Sequence, residues 1–313
     1  MAKRQPSALN LLFAVDKPVG CTSHDVVGMC RRALGERRIG HAGTLDPLAS
    51  GVMVLGVGQA TRLLGLITQD TKSYIADVAF GFETDTDDAE GRIVRTAPVD
   101  DRLLDAAFAR AALARTRGKQ MQVPPAYSAI SVGGVRSYKR ARQGDAVELP
   151  ARPVDVLAAD LIAVRSEAEG AVWTVAYTVS KGTYIRALAR DLGRSAGSAA
   201  HLVSLRRTAS GCVTVGSCSS IDALDEKSVR DAALDPVRVL GLPAVPVGEH
   251  ELAGISCGRP LPASLAAGRC EDLAEGARLC LVSGSSLVAL GRIDACRIAM
   301  TDVFPQPIEG VRL

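Results

Sequence analysis

Apolar runs punctuated by Gly- and Pro-bearing turns open the chain. Leu9–Val15 is one such run and reads as a short strand that ends in Asp16-Lys-Pro-Val-Gly-Cys-Thr-Ser23. Pro18 and Gly20 turn the chain there, and either Thr22 or Ser23 can cap the next helix. That helix is expected over Ser23–Leu34, with Val26, Val27, Cys30, Ala33 and Leu34 on one side and Gly35 as its stop. Val52–Gly58 is almost wholly apolar and predicts a buried strand. Lys72–Phe82 instead alternates, so that Tyr74, Ala76, Val78, Phe80 and Phe82 share one face of a strand.

The rest of the chain is patterned less sharply. Asp100–Arg117 predicts an alanine-rich helix, and Val154–Val164 and Ala171–Val179 alternate like paired strands. A helix is expected to open near Thr183, and Ser220–Leu240 is helical in pattern. Gly241-Leu-Pro-Ala-Val-Pro246 reads as a linker, with short strands and Gly turns from Val247 to Leu313. Two domains follow, 1–240 and 241–313.

At 313 residues the chain can hold one large domain and a small one, and 47% hydrophobic with 23% charged residues describes a soluble globular protein. A net charge of +3 does not by itself point to nucleic acid, but its distribution does. Eight basic residues and no acidic one lie between Arg110 and Arg142, and six between Lys181 and Arg207 stand against Asp191 alone. Either these are solvated faces or they meet a phosphate backbone. The eight cysteines include no Cys-x-x-Cys pair, which argues against a zinc site. The polar Met-Ala-Lys-Arg-Gln-Pro start and the lack of any membrane-length apolar run lead us to expect reduced thiols and a cytoplasmic location, with no membrane contact. Glu83–Gly91 is acidic but fails the EF-hand template, since Ala89, Glu90 and Thr96 fall where ligands or glycine are needed. No metal or cofactor is expected.

Candidate chemistry gathers in Gly40-His-Ala-Gly-Thr-Leu-Asp-Pro-Leu-Ala-Ser-Gly51. One carboxylate, Asp46, sits on a loop shaped by Gly40, Gly43, Gly51 and Pro47, with His41 five residues before it. Such a loop, held by buried structure, either presents a reactive side chain or uses Asp46 as an ordinary turn cap before proline. Tyr74 reads either as core or as site. Arg186, in the first turn of its helix, is badly placed for the helix dipole, which hints at a specific anion partner.

This loop, followed by Gly58-Gln-Ala-Thr-Arg62, closely resembles the signature of the TruB family of tRNA pseudouridine-55 synthases. Asp16-Lys-Pro-x-Gly-x-Thr-Ser23, the Thr-Asp-Thr-x-Asp run at Thr84, Pro124-Pro-x-Tyr-Ser-Ala129 and Tyr138-x-x-Ala-Arg142 match in the same order. The resemblance covers residues 9–240 strongly and the tail loosely. It implies an α+β pseudouridine synthase fold with a mixed, mainly antiparallel central sheet flanked by helices and loops, and a small C-terminal β-rich PUA-like domain.

It also implies roles. Asp46 becomes the catalytic residue, Arg186 its pairing partner and Tyr74 a tyrosine against the target base. Tyr184 and Leu205 line the base pocket, and His41 either fills the vacated space or holds the flipped nucleotide. Lys17 either touches phosphate or braces the loop; Arg206 and Arg207 serve either phosphate or structure. Residues 120–153, rich in basic side chains interleaved with Tyr127 and Tyr138, resemble the family's RNA-binding thumb, expected to be mobile until RNA binds. Ser131 stands where the family has lysine, so a contact made by that lysine is in doubt.

The implied reaction is conversion of uridine 55 in the tRNA T-arm to pseudouridine, after the base is flipped out at a cost of about a few kcal/mol. An ionised carboxylate can attack the base, attack the sugar or remove a sugar proton. The expected partner is tRNA, with no guide RNA, and the chain is expected to be a monomer. Two rivals are an RNA-binding or tRNA-folding protein whose catalytic loop is dispensable, and a guide-RNA-dependent synthase, against which the thumb insertion argues.

Overall fold

A computed structural model describes residues 6–68, 71–128, 131–132, 135–137, 143, 149–167, 170–266 and 273–312. It resolves into two compact units. One comprises Met1–Pro47, Gly51–Thr68 and Ser210–Leu313, and the other Leu48–Ser50 and Gln69–Ala209.

The first unit is built on β1 (Leu12–Lys17), α1 (Ser23–Leu34), β2 (Ile39–Ala42) and β3 (Ala49–Val57). β1 and β2 both run antiparallel to β3, with Lys17 opposite Gly51 and His41 opposite Leu55. The strand period explains why Leu11–Val15 and Val52–Leu55 are apolar without interruption. Leu11, Phe13, Val15, Met53 and Leu55 pack on Val26, Val27 and Cys30 of α1. Leu12, Ala14, Val52 and Val54 face the opposite way and pack with Cys280, Val282, Leu287 and Phe304. A sheet covered on both faces has no polar side to show. α1 matches its expected bounds because its ends are marked locally. Thr22 and Asp25 form a capping box, and Gly35 takes φ 60° at the C-cap.

Residues beyond 240 form a five-stranded sheet in which Ala244–Pro246 runs parallel to Arg278–Ser283, followed by Ser286–Asp294, Arg297–Glu309 and Leu261–Pro262. The stretch read as a linker therefore contributes a strand. One face holds Val245, Leu279, Leu281, Ala289 and Ile298, and the other completes the core over β1 and β3. Arg62 adds a polar tie: it donates to the Val303 carbonyl and Asp302, both at 2.6 Å, and lies over the Phe304 ring. The expected helix over Ser220–Leu240 is three short pieces, a turn at Ile221–Ala223 and helices Glu226–Asp231 and Pro236–Leu240. Asp225 and Asp235 cap the two helices, and Pro236, which has no N–H, can only start one.

The second unit carries β4 (Lys72–Phe80), a hairpin of β5 (Phe82–Thr84) and β6 (Ile93–Thr96), and helix α2 (Ala106–Arg115). There follow β7 (Gly118–Gln122), the small hairpin β8 (Ser131–Val132) and β9 (Val135–Arg136), β10 (Arg152–Glu167), β11 (Gly170–Val179), helix α3 (Ile185–Ser195) and β12 (Ala200–Ser210). The sheet order is β12-β4-β11-β10-β7, and β4, β10 and β7 join it through antiparallel pairs. On β4 the expected alternation holds for Tyr74, Ala76, Val78 and Phe80, all buried. It stops there because Gly81 takes φ 125°, and Phe82 opens the next strand stacked on His201 at 4.1 Å. The helix expected over Asp100–Arg117 is broken at Asp105. Residues Asp101–Leu104 make a 3-10 turn whose Leu103 carbonyl accepts the buried Trp173 indole N–H at 2.7 Å, and Asp105 then caps α2. Within the expected thumb, Tyr138, Lys139, Arg140 and Arg142 lie outside the described residues, as does the Ser131 side chain.

Gly58 sits at φ 57° with a Cβ position 2.4 Å from the Leu9 carbonyl and 2.3 Å from the Asn10 side-chain oxygen. Gly58→Ala should therefore cost about 2–4 kcal/mol of stability, from left-handed backbone strain and overpacking together. Denaturant unfolding of the purified variant measures this.

Candidate active site

Asp46 lies half-buried in the six-residue loop between β2 and β3. Its two neighbours are fixed by the chain that precedes it. On one side, the buried Ser23 hydroxyl donates to the Leu45 carbonyl at 3.0 Å and accepts the Leu45 N–H at 2.8 Å. On the other, the Pro47 carbonyl accepts the Gly20 N–H at 2.8 Å and lies 3.5 Å from the Lys17 ammonium, which also donates to the Pro18 carbonyl at 2.8 Å. Gly43 at φ 93° and Gly51 at φ 109° turn the chain into and out of the loop. The Asp-Lys-Pro-x-Gly-x-Thr-Ser string thus supplies a clamp at each shoulder of Asp46. Lys17 is fully buried, so its charge is spent on those carbonyls rather than offered at the surface. His41 is half-buried on β2.

The second unit holds the other candidates. Tyr74 is buried on β4, directly opposite Tyr177 of β11. Leu205 is buried on β12, the strand beside β4. Tyr184 and Arg186 stand at the start of α3. Arg186 is 5% exposed, with one guanidinium nitrogen donating to the Thr86 carbonyl at 2.9 Å and another to the Tyr127 carbonyl at 3.0 Å. The buried Asp88 carboxylate is 3.3 Å away, so the anion that the helix-dipole argument called for includes a residue of the acidic loop.

That loop is fastened to α3 by arginines one helical turn apart. Arg186 faces Asp88, Arg190 pairs with Asp87 at 2.8 Å, and Arg194 holds Glu83 at 2.6 Å. Thr86 donates to Asp88 and Thr84 to the Asp88 carbonyl, and a side chain on Gly91 would collide with Thr86. Arg194 and Arg95 hold the Glu83 carboxyl below its usual range despite its burial. Burial acts the other way on Asp87 and pushes its carboxyl up to about 6, against the pull of Arg190 and Arg186. Arg207 is buried, and Arg206 donates to the Ser50 hydroxyl at 3.2 Å.

Sequence reasoning missed Ser23, Asp87, Asp88 and Gln122 as parts of this framework. Ser23 belongs to the Asp-Lys-Pro-x-Gly-x-Thr-Ser string, but the one role the sequence suggests for it is a helix cap, a task that Thr22 performs. The acidic run was noted, but its partners lie about a hundred residues away on α3, and no local pattern announces them.

The sequence profile of the TruB family pseudouridylate synthase N-terminal domain matches residues 31–185. The chain is 45% identical over 288 residues to the tRNA pseudouridine synthase B of an Arthrobacter species, covering 90% of this chain and 92% of that one. It is 44% identical over 252 residues to the protein of that name from Mycobacterium bovis, covering 80% and 84%. Among solved structures, the fold matches a Cbf5-Nop10-Gar1 complex with a TM-score of 0.66 at 24% identity, over 94% of this chain and 84% of that one. An archaeal box H/ACA Nop10-Cbf5 complex matches at 0.64 and 23%, over 96% and 88%. The fold and its motifs are therefore those of a pseudouridylate synthase, an isomerase. The chain belongs to the TruB family.

Two expected outcomes follow from this geometry. Ser23→Ala strands the buried N–H and C=O of Leu45 and should destabilise the fold by about 1–3 kcal/mol, read by thermal or denaturant unfolding. For Asp87, the folded chain between about pH 4 and pH 6 retains a proton that the unfolded chain releases. Its contribution to stability is thus greatest below pH 4 and falls as pH rises through 6, and Asp87→Asn should remove that slope from a pH series of unfolding curves.

Proposed function

We propose that this chain converts uridine 55 in the T-loop of tRNA to pseudouridine, with Asp46 as the catalytic group. The observation that carries the proposal is the double clamp on the Asp46 loop. A turn cap needs no such support, whereas a reacting carboxylate gains from a fixed position, because about 1 Å of misplacement can cost a hundredfold in rate. The relatives named tRNA pseudouridine synthase B support tRNA as the substrate.

In the reaction the C1′–N1 glycosidic bond breaks, the uracil turns, and a C1′–C5 bond forms. C5 then loses its proton to solvent and N1 gains one, so the product is an isomer of the substrate. Asp46 in its ionised form serves as nucleophile or as base, and Arg186 is assigned to hold that charge. Tyr74 is assigned to lie against the uracil, with Tyr184 and Leu205 lining its pocket and His41 meeting the flipped nucleotide. Lys17 acts through the loop it braces. The enzyme is proposed to work as a cytoplasmic monomer without a guide RNA.

The test is tritium release from tRNA labelled with [5-³H]uridine, comparing wild type with Asp46→Asn at saturating RNA and with no other RNA present. Wild type should release one tritium per tRNA. The variant should bind tRNA normally and release none, a loss of at least about a thousandfold when a group central to the chemistry is removed. Release by the variant at the wild-type rate would refute the role of Asp46, and a wild type inert on every tRNA would refute the activity.

A further inference from the structure

Strand β7 ends in Gln122, whose side chain is only 2% exposed. Its carboxamide is spent on a single distant residue. The Nε2 group donates to the Tyr184 carbonyl at 3.1 Å, and Oε1 accepts the Tyr184 N–H at 2.9 Å. One side chain thereby engages both backbone polar groups of Tyr184, as a neighbouring strand would, although the carbonyl also accepts the Leu188 N–H at 3.1 Å as the first bond of the helix. The Tyr184 N–H, ahead of the first helical turn, has no helical carbonyl to donate to. Tyr184 has extended geometry (φ −98°, ψ 114°), it is the N-cap residue of α3, and its own side chain makes no capping bond.

The stretch after Gln122 is tied to the same helix. The Val123 carbonyl accepts from Arg190 at 2.9 Å, and the Tyr127 carbonyl accepts from Arg186 at 3.0 Å. Between them stand Pro124 and Pro125, both buried, which have no N–H to give to any alternative pairing. The end of β7 and the first turns of α3 are therefore joined by three separate polar links. In two of them a long arginine side chain reaches out from the helix. In the third, Gln122 holds the helix's own backbone, two residues before Arg186.

We propose that Gln122 is a positioning residue for pseudouridylation: its amide clamp on Tyr184 sets where α3 begins, and with it the places of the Tyr184 ring and the Arg186 guanidinium. This rests on the function proposed above and extends it to a residue that touches neither substrate nor reacting atoms. The chemistry of the clamp is demanding. It needs a donor and an acceptor on one rigid group of the right reach. Methionine fills the same volume and offers neither, and glutamate keeps the acceptor but sets a carboxylate oxygen against the Tyr184 carbonyl. With the clamp gone, the helix start is free to shift by a fraction of an ångström, enough to cost one to two orders of magnitude in a step that depends on fixed geometry.

The experiment uses the full chain and the same labelled tRNA. Single-turnover tritium release, tRNA affinity by filter binding and thermal melting are measured for wild type, Gln122→Met, Gln122→Glu and Ser195→Ala. Ser195 lies at the far end of α3, and its hydroxyl donates to the Leu192 carbonyl within the helix and not to the start of α3. Both Gln122 variants should slow the single-turnover step about 10- to 100-fold, with tRNA affinity within about threefold of wild type and most of the chain folded at the assay temperature. Ser195→Ala should match wild type. The inference is overturned if the folded Gln122 variants react within threefold of wild type, or if their loss of rate only tracks the unfolded fraction. Should Gln122→Met melt below the assay temperature, Gln122→Glu decides by the same criteria. An inert wild type would instead bring down the functional reading and the clamp's role with it.

Discussion

The Asp46 loop is held in place through its own backbone groups, not through the Asp46 side chain. Leu45 and Pro47 are each bonded to the strand-turn-helix that begins the first unit, by Ser23 on one side and by Gly20 and Lys17 on the other. A short loop that opens on Gly43, with Gly40 and Gly51 in the flanking strands, has little shape of its own, since glycine leaves the chain free to adopt many conformations. Its order is borrowed from β1 and α1. Those elements are held in turn by Phe13, Val15, Val26, Val27 and Met53, so the geometry around one carboxylate rests on a hydrophobic core. That core also explains the burial of Lys17. An ammonium in such a place is tolerable only where carbonyl oxygens replace its water, and the loop and turn supply them.

The second unit is ordered by a different force. α3 carries arginines at positions 186, 190 and 194, which reach Asp88, Asp87 and Glu83 and also the carbonyls of residues 86, 123 and 127. Paired and hydrogen-bonded charges of this kind are strongly directional, and removing one member leaves the other buried without compensation. Such a network is a costly way to gain stability and a good way to fix positions. The basic run at Lys181–Arg207 is therefore in good part internal scaffolding. Arg186, Arg190, Arg194 and Arg207 have protein partners or are buried, and are not a free surface for phosphate.

What could be read from the sequence divides along the same lines. α1 was recovered to the residue because Thr22, Asp25 and Gly35 mark its ends within the helix itself. β4 was recovered from its alternation, and the Asp46 loop from its glycines and proline. The motif order further supplied the family, which no count of charges or apolar runs could have done. Breaks set by distant partners were not legible. The turn at Leu103 depends on an indole seventy residues on. The break within Ser220–Leu240 is different: its caps, Asp225 and Asp235, and Pro236 stand in the segment itself, where helical periodicity hid them. Ser23 is the most instructive miss. Its position beside a helix start suggested a cap, but its hydroxyl is committed 22 residues away.

The shared core beneath β1 and β3 joins segments far apart in the chain. Leu12, Ala14, Val52 and Val54 take their cover from Cys280, Val282, Phe304 and Ile308, a segment that no local pairing brings near them. The Glu309 N–H donates to the Asn10 carbonyl across the same distance. Until those segments meet, one face of the founding sheet is bare hydrocarbon. Sequence separations of this size slow folding and leave sticky surface exposed in the meantime. The strands that supply Val282 and Phe304 are consequently as much a part of shaping the Asp46 loop as the strands beside it.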